Sequence, residues 1–596
     1  MLLHYRPDRL GRGVTSLADS PAFFLSPDGK TDPQAELEAT LAAFFDPDAR
    51  LRDDERPACV YVARRRWLER QLGFDRARLP EPACPDFDEW RQALGARGLT
   101  LVFAESFMNN PASMFGHTLL RLDQAAAGDD RERRDLLAYV VNFAGETGAE
   151  RGVLYAVKGI AGRYPGYFSL VPYYEKIKQY SDWESRDLWE YGLAISPDEV
   201  DRLLAHLWEL RGVAFQYYFF DENCSYELLG LIEAARPALD LRGRFTGWVI
   251  PVDTLREVVR QAGLAGEVHY RPSATTRIRH LAGRLGKGDR RLARAVSDGR
   301  VAVDDPLLEA LPAETRAGVL SLAHDHLAYA AEGEEREARA RALRILTARS
   351  RVPVVGESAP PPATPTTRPD DGHETARLRV GGGWRDGRSF VELRLRPAFH
   401  DLLDPQGGFS EGAQVDFLDT ALRYYPDDGE VKLHELTVID IVSLAPRDEL
   451  FEPVSWKIRT GLTTRLMPGS GDALREGKLW HTSGGAGLSW RPWSVALAYG
   501  FLEGTFDVSG KLEDDVALGA GARIGLLFGD ARDRWRADLF ARATRFFAGD
   551  TRTWLSVGLE QRLRLTRDTA FVLKLAGDRD FDETWLDAGL FLDLYF

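Results

Sequence analysis

Between residues 376 and 596 the chain alternates apolar and polar side chains with a period of two, and this pattern commits its C-terminal part to antiparallel sheet. Val391, Leu393 and Leu395 face one way, while Glu392, Arg394 and Arg396 face the other. The same phase recurs along Trp535–Thr544, Leu555–Leu565 and Leu586–Phe596. It gives about twelve strands of ten or so residues, an even number, which is what a transmembrane barrel requires. Arg, Glu and Asp recur in the polar phase, whereas the apolar phase is almost free of charge. Trp384, Tyr424, Tyr425, Trp456, Trp480, Trp554 and Trp585 fall near strand ends, where interfacial aromatic girdles belong. The chain stops on Phe596, an aromatic end like the signal by which outer-membrane barrels are recognised for assembly. The alternative is a soluble antiparallel sandwich or barrel, which also alternates but turns its apolar phase inward.

No run of about 18 apolar residues occurs, so a transmembrane helix is not expected and strands are the remaining way across a bilayer. A formal charge of -14 argues against nucleic acid as a partner, because phosphate-binding surfaces are basic. The opening Met1–Pro7 lacks the apolar core of a signal peptide, and for an exported chain the expectation is that a leader has been removed.

At 596 residues several domains are expected. Residues 1–98 read as a small helical region, with helices over Asp32–Phe45 (Leu37, Leu41 and Phe44 on its apolar side) and over Val60–Leu72 (Trp67 and Leu68), and irregular chain around Pro80, Pro82 and Pro85. Residues 99–270 mix strands and helices, an α+β pattern. Strands are expected at Leu99–Phe103, Phe115–Leu122 and Leu137–Phe143, with a polar loop at Gly128–Asp135, and helices at 196–212 and from Asn223 to Ala235. Residues 271–350 read as solvated helices on or beside that central domain. A polar, stiff linker follows within 351–375, centred on Ser358–Pro369, and 376–596 form the barrel.

Three cysteines divide as two plus one. Cys59 and Cys84 lie 25 positions apart, and in an oxidising compartment a bond between them would contribute about 3 kcal/mol. Three unrelated buried cysteines in a cytosolic chain are the alternative. Cys224 stands alone among Asp221, Glu222, Asn223 and Ser225, poor company for a core thiol. With Asp221 or Asn223 as helix cap, it falls in a first turn whose free amides and dipole favour a thiolate. His117 follows Gly116, which allows another segment to approach the backbone there. A cysteine nucleophile needs a base and a group to orient that base, and Asn142 on the next strand is placed to be the orienter. Lys176 and Arg186, in an aromatic and charged run from Tyr173 to Tyr191, are candidates to meet a lipid phosphate, or else parts of a salt-bridged surface. No metal-ligand spacing and no cofactor motif stands out.

The stretches Asn110-Pro-Ala-Ser-Met-Phe-Gly-His117 and Asp221-Glu-Asn-Cys-Ser-Tyr226 resemble the Lnb N-terminal periplasmic domain, named for a bacterial lipoprotein N-acyltransferase. That family is similar to the circularly permuted papain-like group, with lecithin:retinol acyltransferase and NlpC-type peptidases as wider relatives. The resemblance covers about residues 99–270. It implies a permuted papain-like fold in which the histidine strand precedes the cysteine helix, with Cys224 as nucleophile, His117 as base, and Ser113, Asn223 and Ser225 as substrate-binding neighbours. Many relatives carry Thr where this chain has Ser225, a hydroxyl for a hydroxyl. The leading expectation is a thiol acyltransferase at the periplasmic face of the outer membrane, taking an acyl chain from phospholipid to an amine such as a lipoprotein N-terminus. A cysteine peptidase or amidase acting on peptidoglycan, and a non-catalytic barrel scaffold or pore, are the alternatives.

Overall fold

A seven-stranded antiparallel sheet organises the N-terminal half. It runs in the order β8 (Phe215–Tyr217), β6 (Tyr164–Pro172), β5 (Tyr139–Gly145), β4 (His117–Gln124), β3 (Ala96–Ala104), β7 (Leu188–Leu193) and β9 (Ala265–Arg271), while β1 (Tyr5–Pro7) and β2 (Val14–Ser16) form a separate hairpin. A computed structural model describes the chain except residues 1, 8–11, 52–54, 78, 80, 111–112, 125–134, 149, 151, 332–335, 354–359, 470 and 531. Pro80, most of the 128–135 loop, two residues of the His117 motif and part of the linker therefore lie outside the described residues. Two compact units result, Met1–Thr276 and Arg277–Phe596.

The central strands of the first unit are covered on both faces: Leu119, Leu120, Val140, Val141 and Phe143 are each at most 1% exposed. That burial explains why Thr118-Leu-Leu-Arg-Leu122 shows no clean alternation. Tyr173 and Tyr180, from the helix Tyr173–Ile177 and the π-helical turn after it, join Val102, Leu119, Val140 and Leu188 in one cluster. The helix Cys224–Ala235, buried along its whole length, packs against β4 and β5.

Residues 1–98 belong to this same unit. Val62, Ala63, Cys84 and Phe87 pack with Ala205 and Trp208 of the helix Pro197–Glu209, and the Trp208 indole donates to the Cys59 carbonyl at 2.9 Å. Cys59 and Cys84 are joined by a disulfide. Two details depart from the sequence reading. Helix Pro33–Phe45 buries Glu36, Thr40 and Phe44 and leaves Leu37 at 40% exposure, because the Glu36 carboxylate takes the Leu25 and Ser26 amides and pairs with Arg64 at 2.9 Å. The expected Val60–Leu72 helix breaks at Tyr61 (φ -108, ψ 59), and Trp67 stays 38% exposed.

In the second unit the helices Lys287–Ser297, Ala313–Ala330 and Arg336–Ser350 build a core of their own, completed by Leu450 and Phe451. Beyond them lies a closed twelve-stranded antiparallel barrel. Its ring runs β10 (Arg377–Arg385), β11 (Arg388–Arg396), β13 (Ala413–Tyr425), β14 (Glu430–Ser443), β16 (Ser455–Gly469), β17 (Gly471–Trp493), β18 (Ala496–Val508), β19 (Val516–Gly529), β20 (Trp535–Gly549), β21 (Thr553–Thr566), β22 (Thr569–Asp580) and β23 (Glu583–Tyr595). Pairing of β23 with β10 closes it. The short β12 (Ala398–His400) pairs with β13 next to the stretch that β11 pairs, and β15 (Pro446–Arg447) lies off the ring against β17.

The apolar phase faces out. Val391, Leu555, Leu586 and Leu590 are 41–60% exposed, while Arg379, Glu392, Arg396 and Asp593 on the opposite phase are at most 2% exposed. Water would penalise such an outer face and lipid would not, so the soluble alternative fails. Three of the expected girdle aromatics point inward instead: Tyr425 donates to Glu476 at 2.6 Å, Trp554 donates to Asp578 at 3.0 Å, and Trp585 is 4% exposed. They sit on the lumenal phase, where a hydroxyl or indole N–H finds a carboxylate.

Candidate active site

The β4 strand starts where the chain makes a turn that only glycine fits. Gly116 has φ +91, and a Cβ there would lie 2.6 Å from the Phe103 ring and 3.2 Å from the Ala104 carbonyl. The next residue, His117, is 7% exposed and bonds through Nε2 to Asn142 Oδ1 at 3.1 Å. Asn142 is held in turn, because its amide nitrogen donates to Ser169 Oγ at 3.3 Å. With an amide oxygen as acceptor, Nε2 carries the hydrogen and Nδ1 is the basic nitrogen.

Cys224 opens its helix. Asn223 is the cap: its side-chain oxygen accepts from the Ser225 and Tyr226 amides, and its own amide nitrogen donates to the Val249 carbonyl at 2.8 Å. Asp221 is not the cap and instead pairs, with Glu222, to Arg6. The β4–β5 pairing ends at Leu120 opposite Val141, and two residues beyond it the Thr118 amide donates to the Cys224 sulfur. The Tyr217 hydroxyl bonds the same sulfur. The two motifs thus meet one residue apart, at Thr118. The Ser225 amide is a third donor to the sulfur. Among the described residues the imidazole itself makes no hydrogen bond to the sulfur, so the hydrogen bond expected from sequence is replaced by these three donors.

Electrostatics set the resting state. Burial, helped by the Arg186 charge, depresses His117 to about 3 against the opposing pull of Asn142. Burial pushes the Cys224 thiol up, opposed by the Thr118 amide, Tyr217 and Arg186. The expected thiolate therefore gives way to a neutral thiol beside a neutral imidazole, because desolvation outweighs the helix N-terminus.

The remaining sequence candidates fall into place unevenly. Arg186 is 2% exposed, donates to the Glu105 and Ala104 carbonyls and pairs with Glu184 at 3.0 Å, so its nitrogens are committed to protein and not to a phosphate. It also lies 4.8 Å over the Tyr180 ring, which stands 5.6 Å from that of His117. Lys176 reaches Gln179 at 2.9 Å, and burial lowers its pKa. Ser225 donates to Asn223 at 2.7 Å and is spent on the cap. Ser113 acts through its backbone, its carbonyl accepting from Phe107 and Gly116. Tyr217, Tyr180 and the Thr118 amide escaped the sequence reading. The only signal for Tyr217 was the aromatic run Phe215–Phe220 ahead of Cys224.

Fold and site together define an outer-membrane barrel protein whose N-terminal domain holds a buried cysteine–histidine–asparagine cluster. Residues 86–261 match the Lnb N-terminal periplasmic domain family, which places this domain in the periplasm. Residues 1–71, 268–361 and 366–595 match three domains of unknown function, DUF7843, DUF7842 and DUF7840. No curated protein sequence matches the chain. Among solved structures it is similar to OmpT lacking loop L8, an outer membrane protein of Vibrio cholerae, at 7% identity over 37% of this chain and 97% of that one, with a TM-score of 0.20. It is also similar to the NanC porin, at 11% identity over 37% and 100%, with a TM-score of 0.23. An anion-selective porin from Comamonas acidovorans matches at 12% identity over 37% and 99%, with a TM-score of 0.18.

Proposed function

We propose that the N-terminal unit is a cysteine acyltransferase that moves an acyl chain from an outer-membrane phospholipid, through a thioester on Cys224, to an amine acceptor such as a lipoprotein N-terminus. One observation carries the reading: three hydrogen-bond donors, the Thr118 and Ser225 amides and the Tyr217 hydroxyl, converge on a cysteine at a buried helix start, and Thr118 is one residue from a histidine oriented by an amide. The match of residues 86–261 to the Lnb N-terminal periplasmic domain supports the same reading.

In this scheme His117 Nδ1 takes the thiol proton as the sulfur attacks the ester carbonyl, since neutral partners call for transfer during attack and not a preformed ion pair. The tetrahedral intermediate expels the lysolipid alkoxide, which takes the proton back from His117. The amine then attacks the thioester, His117 accepts its proton, and that proton returns to sulfur as the amide forms. Asn142 is the positioning residue for His117.

Lipid as acyl donor is supported by the helix Gly152–Ile160, which exposes Leu154 and Val157 at 61% and 55%. That helix packs on Phe219, five residues before Cys224: the Phe219 amide donates to the Gly159 carbonyl at 3.0 Å. A peptidoglycan amidase is the second reading, favoured by a cavity of about 1200 Å³ lined by Arg6, Glu222 and Tyr226. Cys224 is not among its lining residues, which favours the first reading.

Intact-mass spectrometry of detergent-purified protein with mixed phospholipids tests it, with Cys224→Ala and His117→Ala alongside. An acyl-sized gain on wild type, removed by hydroxylamine and absent from Cys224→Ala, is expected. Release of peptide from peptidoglycan fragments, with no acyl adduct, would replace it by the amidase reading. A Cys224→Ala protein with unchanged cellular function would replace both by a scaffold.

A further inference from the structure

The connection between β11 and β13, residues 397–412, buries residues 398–400 and 402–405. A connection between neighbouring strands has no need to enter the lumen, yet this one does. Leu402 and Leu403 pack with Val442 of β14, Leu497 and Tyr499 of β18, and Leu527 of β19. Strands β11 and β19 are six places apart in the ring, so the segment reaches the opposite wall.

Its polar groups are anchored around the circumference as well. The Leu402 carbonyl accepts from Arg536 on β20 at 3.1 Å, and Asp533 takes the Gln406 amide at 2.6 Å. Asp404, 0% exposed, pairs with Arg396 of β11 at 2.7 Å, with Arg377 of β10 at 3.2 Å, and with Arg562 of β21. The Tyr595 hydroxyl on β23 donates to the same carboxylate at 2.6 Å. Withdrawal of the segment would take the buried Asp404 carboxylate away from all three guanidinium groups, leaving Arg396 to Asp416 at 3.0 Å and Arg562 to Asp593 at 2.9 Å, which makes spontaneous opening costly. Gly408 (φ +83) closes the turn, where a Cβ would lie 2.7 Å from the Arg368 carbonyl. Behind the segment lies a lumenal cavity of about 230 Å³ lined by Asp401, Leu402, Leu403 and Thr437.

We infer that residues 401–408 form an internal plug that seals this end of the barrel, and that the barrel is a closed anchor and not a diffusion pore. The inference stands apart from any chemistry at Cys224. The test uses the full chain in detergent and in planar bilayers. Wild type is expected to give no stepwise conductance, and a Leu403→Cys variant is expected to resist a bulky water-soluble maleimide until denatured. In a Thr437→Cys background, replacing residues 401–408 with a short glycine–serine turn is expected to speed labelling at least tenfold, with barrel folding checked by heat-modifiable gel mobility. Steady conductance steps from wild type, or rapid labelling of Leu403→Cys in the folded barrel, would overturn the plug. So would a folded replacement variant whose Thr437→Cys stays protected.

Discussion

His117 Nε2 and Asn142 Oδ1 meet at 3.1 Å across neighbouring strands, 25 residues apart in sequence. The bond fixes which imidazole nitrogen is basic and which way it points, so it separates orientation from protonation. Asn142→Ala is expected to slow thioester formation roughly tenfold to a hundredfold, within the range that general-base catalysis supplies. Asn142→Asp keeps an acceptor and adds a charge that favours imidazolium, so it is expected to retain more rate than Asn142→Ala and to shift the pH profile. Single-turnover acylation followed by mass spectrometry across pH checks both.

Gly116 precedes His117 with φ +91 and the Phe103 ring in the space a side chain would fill. Gly116→Ala adds both backbone strain and overpacking, about 1–3 kcal/mol in all. Urea unfolding of the full chain, followed by the N-terminal transition, is expected to show an earlier midpoint. An unchanged midpoint would mean that β4 can start differently, with His117 placed by other contacts.

The sequence motifs singled out His117 and Cys224, and the strand that follows His117 offered Asn142 by position alone. What they could not show depends on non-local geometry. Thr118 can serve Cys224 because the β4–β5 ladder stops at Leu120, and Tyr217 arrives from an edge strand of three residues. Arg186 reads as a free cation until the fold wraps it in the carbonyls of Ala104 and Glu105. Alternation gave the barrel's strands but not which phase faces out, and Asp401-Leu-Leu-Asp-Pro405 reads as an ordinary loop until Leu402 meets the far wall.

The Cys59–Cys84 disulfide closes a loop of 25 residues and lies under Trp208. A Cys59→Ser/Cys84→Ser pair is expected to cost about 3 kcal/mol, chiefly by releasing the unfolded chain. Calorimetry of the N-terminal transition, with barrel unfolding as internal reference, measures it. Loss of the transition altogether would show that the N-terminal helices cannot stay packed without the bond.

Glu227, fully buried in the first turn of the Cys224 helix, is raised by burial to about 8, and Glu222 to about 7. A carboxyl raised in the folded state binds its proton more tightly there than in the unfolded chain. Stability from this source is therefore present at low pH and lost as pH climbs from about 4.5 towards 8. Glu227→Gln keeps the shape without the charge, and is expected to raise the N-terminal Tm by roughly 5 °C at pH 8.5 while changing little at pH 5. Equal shifts at both pH values would assign the effect to packing.

Cys224 and His117 rest as a neutral pair, the thiol raised by burial and the imidazole held near 3. A preformed thiolate–imidazolium pair would alkylate at a constant rate across the middle of the pH range, because both charges persist between the two ionisations. A neutral pair behaves differently: the thiolate fraction grows with every unit of pH, and the histidine contributes no acid limb above about pH 5. The iodoacetamide rate at Cys224 is accordingly expected to rise from pH 6 to 9 without a plateau, and Tyr217→Phe, which removes a donor to the sulfur, is expected to move the curve to higher pH. A flat rate over pH 5–8 would mean that an ion pair forms in solution, and that attack on the acyl donor begins from thiolate instead of requiring His117 to take the proton during attack.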